Sequence, residues 1–309
     1  MRPFFAIKED IMNLSKLTTE QRNPASAAID TLPAGEIVKI ISDNDRTVAD
    51  AVASQLDRIA EIAQSAARSI GNGGRLIYMG AGTSGRLGVI DAAECRPTYG
   101  VPDGVVIGLI AGGMEAMFHA VEGAEDSLTL GADDLRALNV CEKDTVVGIA
   151  SSGRTPYVIG GLKYAREAGC RTASVACVPD AAISSHADIA VEAVTGAEVV
   201  TGSTRMKAGT AQKMILNMIS TTAFILCGKT YGNLMVDVCP TNEKLVARAV
   251  RIVCSAVGCE EDTAKSLLDA AGMNVKTAIV MGLTGCTADA ARILLASHHG
   301  RIREAVGEQ

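Results

Sequence analysis

Short apolar runs alternate with longer amphipathic stretches through the middle of the chain. Five of the apolar runs are short and rich in β-branched or aliphatic residues, as buried strands are. They lie at residues 76–79, 105–110, 145–150, 172–178 and 188–194. Stretches of helical spacing separate most of them. The pattern therefore predicts an α/β fold, with a five-stranded parallel sheet covered by helices on both faces.

Helical spacing of apolar residues also predicts where the helices lie. In the first two thirds of the chain these helices are expected at residues 47–70, 115–127, 156–168 and 206–226. The last part contains no strand-like run. It predicts helices at residues 241–257, 260–271, 274–282 and 287–298, which together indicate a small all-α C-terminal domain.

These elements divide the chain into three parts. Residues 1–56 are expected to form an N-terminal arm and a helix. Pro24 and Pro33 interrupt regular structure in the arm. Residues 57–230 are expected to form the sheet domain, and residues 231–309 the helical domain.

The composition narrows the class of protein. Hydrophobic residues make up 48% and charged residues 21%, which is typical of a soluble protein with a sizeable core. A net charge of −6 and only 3% aromatic residues argue against nucleic acid or an anionic membrane as partner. Residues 214–228 are uncharged but too short and too polar to span a bilayer. We therefore expect no membrane or nucleic-acid partner.

The cysteine and histidine residues indicate no metal site or disulfide framework. The nine Cys form no C-x-x-C pair, and His298 and His299 are adjacent rather than one helical turn apart. Reduced thiols predict a cytoplasmic location. The apolar run in residues 1–10 is too short for a signal peptide, which agrees with that location.

The first predicted strand ends in a glycine-rich loop that suits an anion. Residues 80–88 contain G-x-G-x-x-G between a strand and a helix, which is a dinucleotide fingerprint. The fingerprint also requires an acid at the end of the second strand, and none occurs there before Glu115. Gly82, Thr83 and Ser84 instead suit a terminal phosphate at a helix N-terminus. The alternative is a turn that serves only packing.

A second loop with hydroxyl groups follows the third strand. It contains Ser152, Gly153 and Thr155. Its hydroxyls could hold the same phosphate, or they could only cap the next helix. Ligands bind at the carboxyl ends of parallel strands, where both loops are predicted to lie.

A third loop, residues 202–207, precedes the long helix at 206–226. Ser203 or Thr204 could cap that helix. Arg205 and Lys207 could instead neutralise an anionic group of a ligand.

The three loops and their surroundings resemble a known family. Loops of the G-x-G-T-S and S-G-x-T types are similar to those of the sugar isomerase (SIS) domain, which binds phosphosugars. Within that superfamily the chain resembles the N-acetylmuramic acid 6-phosphate etherases. The matching segments are residues 19–24, 74–100, 121–126, 152–158, 196–210 and 231–238.

The resemblance implies an activity. Family members are lyases that cleave the lactyl ether of N-acetylmuramic acid 6-phosphate to N-acetylglucosamine 6-phosphate and D-lactate, in the recycling of cell-wall sugars. A cytoplasmic homodimer without cofactor is implied. The same family includes the glucokinase regulatory protein, which binds phosphosugars without turnover. A phosphosugar sensor and a phosphosugar isomerase are therefore the alternatives.

The resemblance also assigns two catalytic carboxylates, which match Glu94 and Glu125. Cleavage of the ether by elimination, followed by addition of water, needs one group that acts as an acid and one that acts as a base. We assign Glu94 as acid to the leaving lactate and then as base to water, and Glu125 to the proton at C2. Glu122 and Asp126 lie close to Glu125, and helical spacing alone does not decide which acid points inward.

Two residues depart from the family pattern. Arg96 stands where the family usually has Pro, and it is expected to favour the charged form of the neighbouring Glu94. Ser151 stands where the family commonly has Ala. Neither change is expected to remove activity.

Overall fold

The structure is a computed structural model that describes residues 18–119, 121–238 and 242–307. The N-terminal segment that argues against a signal peptide lies outside these residues. So does the first residue of the helix predicted at 241–257.

The five predicted strands form one parallel sheet, which confirms the predicted α/β class. The strands are β1 (Leu76–Gly80), β2 (Val106–Ile110), β3 (Thr145–Ile149), β4 (Arg171–Ala176) and β5 (Ile189–Glu192). Their order is β2-β1-β3-β4-β5, and all four neighbouring pairs are parallel. The order reverses between β1 and β3, and a crevice opens at such a point beyond the carboxyl ends of the strands.

Helices cover the sheet and form the two ends of the described chain. Those of the N-terminal and sheet regions are α1 (Ala34–Asp45), α2 (Thr47–Ala53), α3 (Leu56–Gly71), α4 (Gly82–Tyr99), α5 (Leu130–Ala137), α6 (Pro156–Glu167) and α7 (Lys207–Leu226). Those at the C-terminal end are α8 (Glu243–Val257), α9 (Glu261–Ala270), α10 (Val275–Thr284), α11 (Ala288–Ser297) and α12 (Ile302–Ala305).

Alternating side chains of β1 divide the core between the two faces of the sheet, as a pleated strand requires. Leu76 and Tyr78 pack in a cluster with residues of α3 and α7. Ile77 and Met79 pack in a second cluster with residues of α5 and α6. Helices on both faces are thus confirmed.

Two glycines let α4 lie close to the sheet. A Cβ at Gly88 would stand 2.9 Å from Cβ of Tyr78, and a Cβ at Gly108 of β2 would stand 2.5 Å from Cα of Val89. On its other side α4 is fastened to α7, because Asp91 accepts hydrogen bonds from Asn217 at 2.6 Å and Ser220 at 3.2 Å. The position of α4 is therefore fixed along its length.

The helix predicted over residues 115–127 is wrong. Residues Gly113–Met117 form one 3₁₀ turn, and residues 121–129 before α5 contain turns and a bend rather than a helix. Gly123 has φ of +74°, a left-handed conformation that interrupts a helix. Ser127 then accepts a hydrogen bond from the N–H of Leu130, which begins α5. The acids Glu122, Glu125 and Asp126 consequently lie on an irregular loop rather than on one face of a helix.

The helix predicted at 47–70 is two helices. The break falls between α2 and α3, where the N–H of Gln55 bonds to the carbonyl of Val52 instead of continuing the α pattern. The prediction of a helical N-terminal arm is confirmed by α1 and α2.

The C-terminal helices enclose a core of their own. Residues of α8 to α12 pack there with Val236 and Val238, and the four predicted helices match α8 to α11. In this part of the chain, two elements lie beyond the sequence-based expectation: α12, and a hairpin of β6 (Thr230–Tyr231) and β7 (Leu234–Met235). The domain boundaries at 56/57 and 230/231 stay a prediction.

The C-terminal helices are joined to the end of α4. Asp237 forms an ion pair with Lys276 of α10 at 2.6 Å and a longer one with Lys229 at 3.6 Å. Its carbonyl oxygen lies so close to Gly100 that a Cβ there would stand 2.3 Å away. The end of α4 and the helical region are consequently held in fixed register.

No single helix within the described ranges is long and apolar enough to cross a membrane. One bent pair, α10 with α11 at 104°, reaches the necessary length and composition. The apolar side chains of α10 are packed in the C-terminal core.

Candidate functional site

The first two hydroxyl-bearing loops meet at the carboxyl edge of the sheet. Gly80 and Ile149, the last residues of β1 and β3, are paired in register, so the loops that follow lie side by side. Gln212 of α7 links them. Ser84 donates a hydrogen bond to its amide oxygen at 3.0 Å, and its amide nitrogen donates to Ser151 at 3.0 Å. All three side chains are buried.

Three other hydroxyl groups at this edge are open to a ligand. Thr83, Ser152 and Thr155 are half-buried, and their side chains make no hydrogen bond to any residue that the structure describes. Ala81 precedes α4 and offers no side-chain cap to its first N–H groups. Uncapped N–H groups and free hydroxyls at a helix N-terminus form a favourable setting for an anion.

Two of the predicted ligand residues are engaged within the protein. Gly153 has φ of +68°, and its N–H donates to the carbonyl of Ala150 at 2.9 Å, so this glycine contributes the shape of the turn. Ser84 already donates its proton to Gln212. Contact of the predicted loop residues, Gly82 included, with a ligand stays a prediction.

Lys207 is tied into the start of α7. Its ammonium donates to the carbonyl of Thr195 at 2.8 Å, and the side chain is buried. The N–H groups of Lys207 and Ala208 donate to the Glu198 carboxylate at 3.0 and 2.9 Å. Glu198, and neither Ser203 nor Thr204, therefore caps this helix. Arg205 is exposed.

Glu198 is a helix cap at the edge of the candidate site that sequence reasoning missed. It is fully buried, and it holds the N-terminus of α7 from nine residues upstream. Capping patterns place the cap directly before the helix or within its first turn, so no local signal marks an acid at that distance.

Glu125 lies beside the first loop. A cleft of about 310 Å³ is lined by Gly82, Arg86, His119, Glu122 and Glu125, together with small apolar residues. The two acids at 122 and 125 thus share the cleft, whereas Asp126 is not among its lining residues. Glu122 and Glu125 are both exposed, and which of them acts on a ligand stays a prediction.

Hydrogen bonds fix both walls of this cleft. Arg86 donates to the carbonyls of Ala116 at 2.8 Å and Met117 at 3.0 Å. The N–H of Tyr157 donates to the carbonyl of Glu125 at 3.0 Å. The Tyr157 phenol donates to Asp134 at 2.6 Å, and burial followed by that hydrogen bond raises its pKa. It stays protonated and keeps the anchor of the loop in place.

Glu94 lies elsewhere in the same chain. It is exposed, and it lines a second cleft of about 700 Å³ between the end of α4 and α8. Glu94 comes twelve residues after Gly82 in the same helix. At a rise of 1.5 Å per residue, the two lie about 18 Å apart along the helix axis. Within one chain, Glu94 and Glu125 therefore line different clefts.

Arg96 is paired with a different acid than expected. One guanidinium nitrogen contacts both carboxylate oxygens of Asp103, at 2.8 and 2.7 Å. Its charge is therefore met by Asp103 rather than left to act on Glu94 alone.

No cluster of three or more His, Cys, Asp or Glu side chains suited to a metal ion occurs within residues 18–119, 121–238 and 242–307.

Comparison with family models defines the class of protein. Residues 58–166 match the model of the glucokinase regulatory protein N-terminal SIS domain, and residues 128–222 match the SIS domain model. These ranges contain the sheet and both loops. The protein is an α/β protein of the SIS class.

Curated relatives define the family within that class. The chain is 56% identical to proteins called N-acetylmuramic acid 6-phosphate etherase from Salmonella schwarzengrund and Salmonella typhimurium, over 96% of its own length and 99% of theirs. It belongs to the N-acetylmuramic acid 6-phosphate etherase family. Among solved structures, a phosphoheptose isomerase from Neisseria gonorrhoeae is 16% identical, covers 61% of this chain and 97% of its own, and has a TM-score of 0.45.

The buried amide between the two loops yields a testable prediction. We expect Gln212→Leu to lower the free energy of unfolding by about 1–3 kcal/mol, because it strips the amide partner from two buried hydroxyls. Replacing Ser84 and Ser151 by Ala in the same variant removes the unpaired groups and is expected to restore part of the loss. Urea unfolding measures both. Lys213→Leu, on the exposed side of α7, is the control, and equal instability of the single and triple variants would contradict the account.

Proposed function

We propose that this protein is a carbon–oxygen lyase that cleaves the lactyl ether of N-acetylmuramic acid 6-phosphate, releasing D-lactate and N-acetylglucosamine 6-phosphate. The observation that carries the proposal is the 56% identity to the Salmonella etherases along 96% of the chain. Glu94 and Glu125 stand in the two segments that carry the family's carboxylates. The role would be the recycling of cell-wall amino sugars.

The substrate phosphate would lie at the N-terminus of α4. Thr83, Ser152 and Thr155 offer hydroxyl donors there, and the uncapped N–H groups of the helix add a positive dipole end. Ser84 and Gly153 support these donors through their own hydrogen bonds. No cofactor takes part in the proposed reaction.

The chemistry follows from the open-chain form of the sugar, in which the C1 aldehyde makes the C2 proton acidic. Glu125 takes that proton, the C3–O bond breaks, and Glu94 protonates the leaving lactate oxygen. The product of this step is an aldehyde with a double bond between C2 and C3. In the second step the oxygen of a water molecule bonds to C3, and Glu94 accepts a proton from that water. Glu125 returns its proton to C2.

A homodimer with shared sites would bring the two acids together. Ile90, one helical turn before Glu94, is 53% exposed, and Met114 and Phe118 beside the Glu125 cleft are 71% and 80% exposed. Exposed apolar side chains such as these are common at protein interfaces. We infer that this face pairs with its copy, so that Glu94 of the partner subunit approaches the phosphate loop. The free thiols of the described cysteines suit the cytoplasm as the compartment.

Incubation with N-acetylmuramic acid 6-phosphate tests the activity. We expect equimolar D-lactate and N-acetylglucosamine 6-phosphate, measured by an enzymatic lactate assay and by NMR. Binding of the phosphosugar without lactate release would point to a sensor instead, as the match to the glucokinase regulatory protein model allows. Conversion to a ketose phosphate would point to an isomerase.

The roles of the two acids can be separated by isotope exchange. Glu94→Ala is expected to lower lactate release by about 10²- to 10⁴-fold, the usual contribution of a general acid. Exchange of the C2 proton with D₂O should persist, because Glu125 remains. Glu125→Ala should lose the exchange as well. Persistent lactate release by Glu94→Ala with loss of exchange would reverse the assignment.

Mixing the two inactive variants tests whether the sites are shared. Half of randomly exchanged dimers contain one subunit of each kind, and each such dimer has one intact site if Glu94 and Glu125 come from different subunits. We therefore expect about a quarter of the wild-type rate. Mixing either variant with itself is the control. No recovery after verified subunit exchange would place both acids in one chain.

A further inference from the structure

We propose that Arg248 binds the carboxylate of the lactyl group and so distinguishes the substrate from its sugar product. The inference rests on the proposed function, since it assumes that Glu94 protonates the lactate oxygen. It replaces Arg205 and Lys207 as candidates for this contact.

The chemistry of the substrate determines where such a cation must lie. A single carbon atom separates the ether oxygen of the lactyl group from its carboxylate. The group that neutralises the carboxylate must therefore share a cleft with the acid that protonates the ether oxygen. This condition can be checked on the residues around Glu94.

Two cations line the Glu94 cleft, Arg96 and Arg248. Arg96 is already bonded to both carboxylate oxygens of Asp103. Arg248 is exposed and makes no hydrogen bond or ion pair with any residue in the described ranges. Its guanidinium group is the unpaired positive charge among the described residues that line the same cleft as Glu94.

Within one chain, the earlier candidates lie away from Glu94. Neither Arg205 nor Lys207 lines the Glu94 cleft. The ammonium of Lys207 is buried against the carbonyl of Thr195. A contact between that lysine and the lactyl carboxylate would require the start of α7 to rearrange.

The rest of the cleft suits a lactyl group. Pro97, Val101, Met235 and Leu245 give it apolar walls, against which the lactyl methyl group can pack. The fork of an arginine matches a carboxylate with two parallel hydrogen bonds. The cleft thus offers one partner for each part of the group: an acid, a cation and an apolar surface.

Arg248 is carried on a firm support. The neighbouring residues Ala249 and Val250 of α8 are buried in the C-terminal core, and Asn242 caps the helix by accepting the N–H of Leu245 at 3.0 Å. The close contact of Asp237 with Gly100 ties this region to the end of α4, three residues beyond Pro97. The backbone positions of Arg248 and Glu94 are therefore held by packed elements.

The test compares N-acetylmuramic acid 6-phosphate with its lactyl amide, which is uncharged at that position. We expect the wild type to prefer the carboxylate in kcat/KM by about tenfold to a hundredfold, the value of a hydrogen bond to a charged group. Arg248→Ala should lose this preference mainly through KM, and Arg248→Lys should recover part of it. Affinity for N-acetylglucosamine 6-phosphate should be unchanged in both variants.

Arg251→Ala is the matched control, because Arg251 lies on the same helix but lines a separate groove with Glu261 and Lys265. It should keep the preference for the carboxylate. A wild type that treats acid and amide alike, or an Arg248→Ala that slows both equally, would overturn the inference while leaving the etherase proposal intact. Absence of lactate release by the wild type would instead refute the proposed function itself.

Discussion

The rise of α4 is the constraint on which the arrangement of the site depends. The helix begins at the phosphate-type loop and carries Glu94 twelve residues later, and a regular helix cannot shorten the separation of about 18 Å. Gly88 and Gly108 hold it close to the sheet, and Asp91 holds it to α7. Because α4 is fixed on both sides, the Glu94 side chain belongs to the end of the helix that faces α8, in a different cleft from Glu125.

The other half of the site depends on the pairing of β1 with β3. That register sets two hydroxyl-bearing loops side by side, and Gln212 joins Ser84 to Ser151. The interior serines rigidify the loops through the amide, so the outer hydroxyls of Thr83, Ser152 and Thr155 remain for a ligand. Ser151, where the family commonly has Ala, supplies the acceptor for the Gln212 amide nitrogen.

The sheet and its loops could be predicted from the sequence because buried strands and glycine turns leave local patterns. The loop around Glu125 could not, since its acids have helical spacing while Gly123 and the bond from Tyr157 impose a turn. The contacts of Lys207 could not be predicted either, because its partner Thr195 and the capping acid Glu198 are distant in sequence. The separation of Glu94 from Glu125 follows only from where α4 ends, which depends on tertiary packing.

The proposed substrate carries two anionic groups, and the fold offers a different solution for each. Arg86 lines the cleft beside the first loop, and its guanidinium group donates hydrogen bonds to the carbonyls of Ala116 and Met117. The phosphate would therefore be bound by neutral donors and a helix dipole. The carboxylate would be met by a full charge, Arg248, in a cleft whose only acid is Glu94 among its described lining residues. Neutral donors at the phosphate would bind the substrate and the sugar product equally, because both carry this group. A charged partner at the lactyl end loses its ligand when the ether is cleaved and lactate leaves, so binding energy at that end acts on the substrate alone.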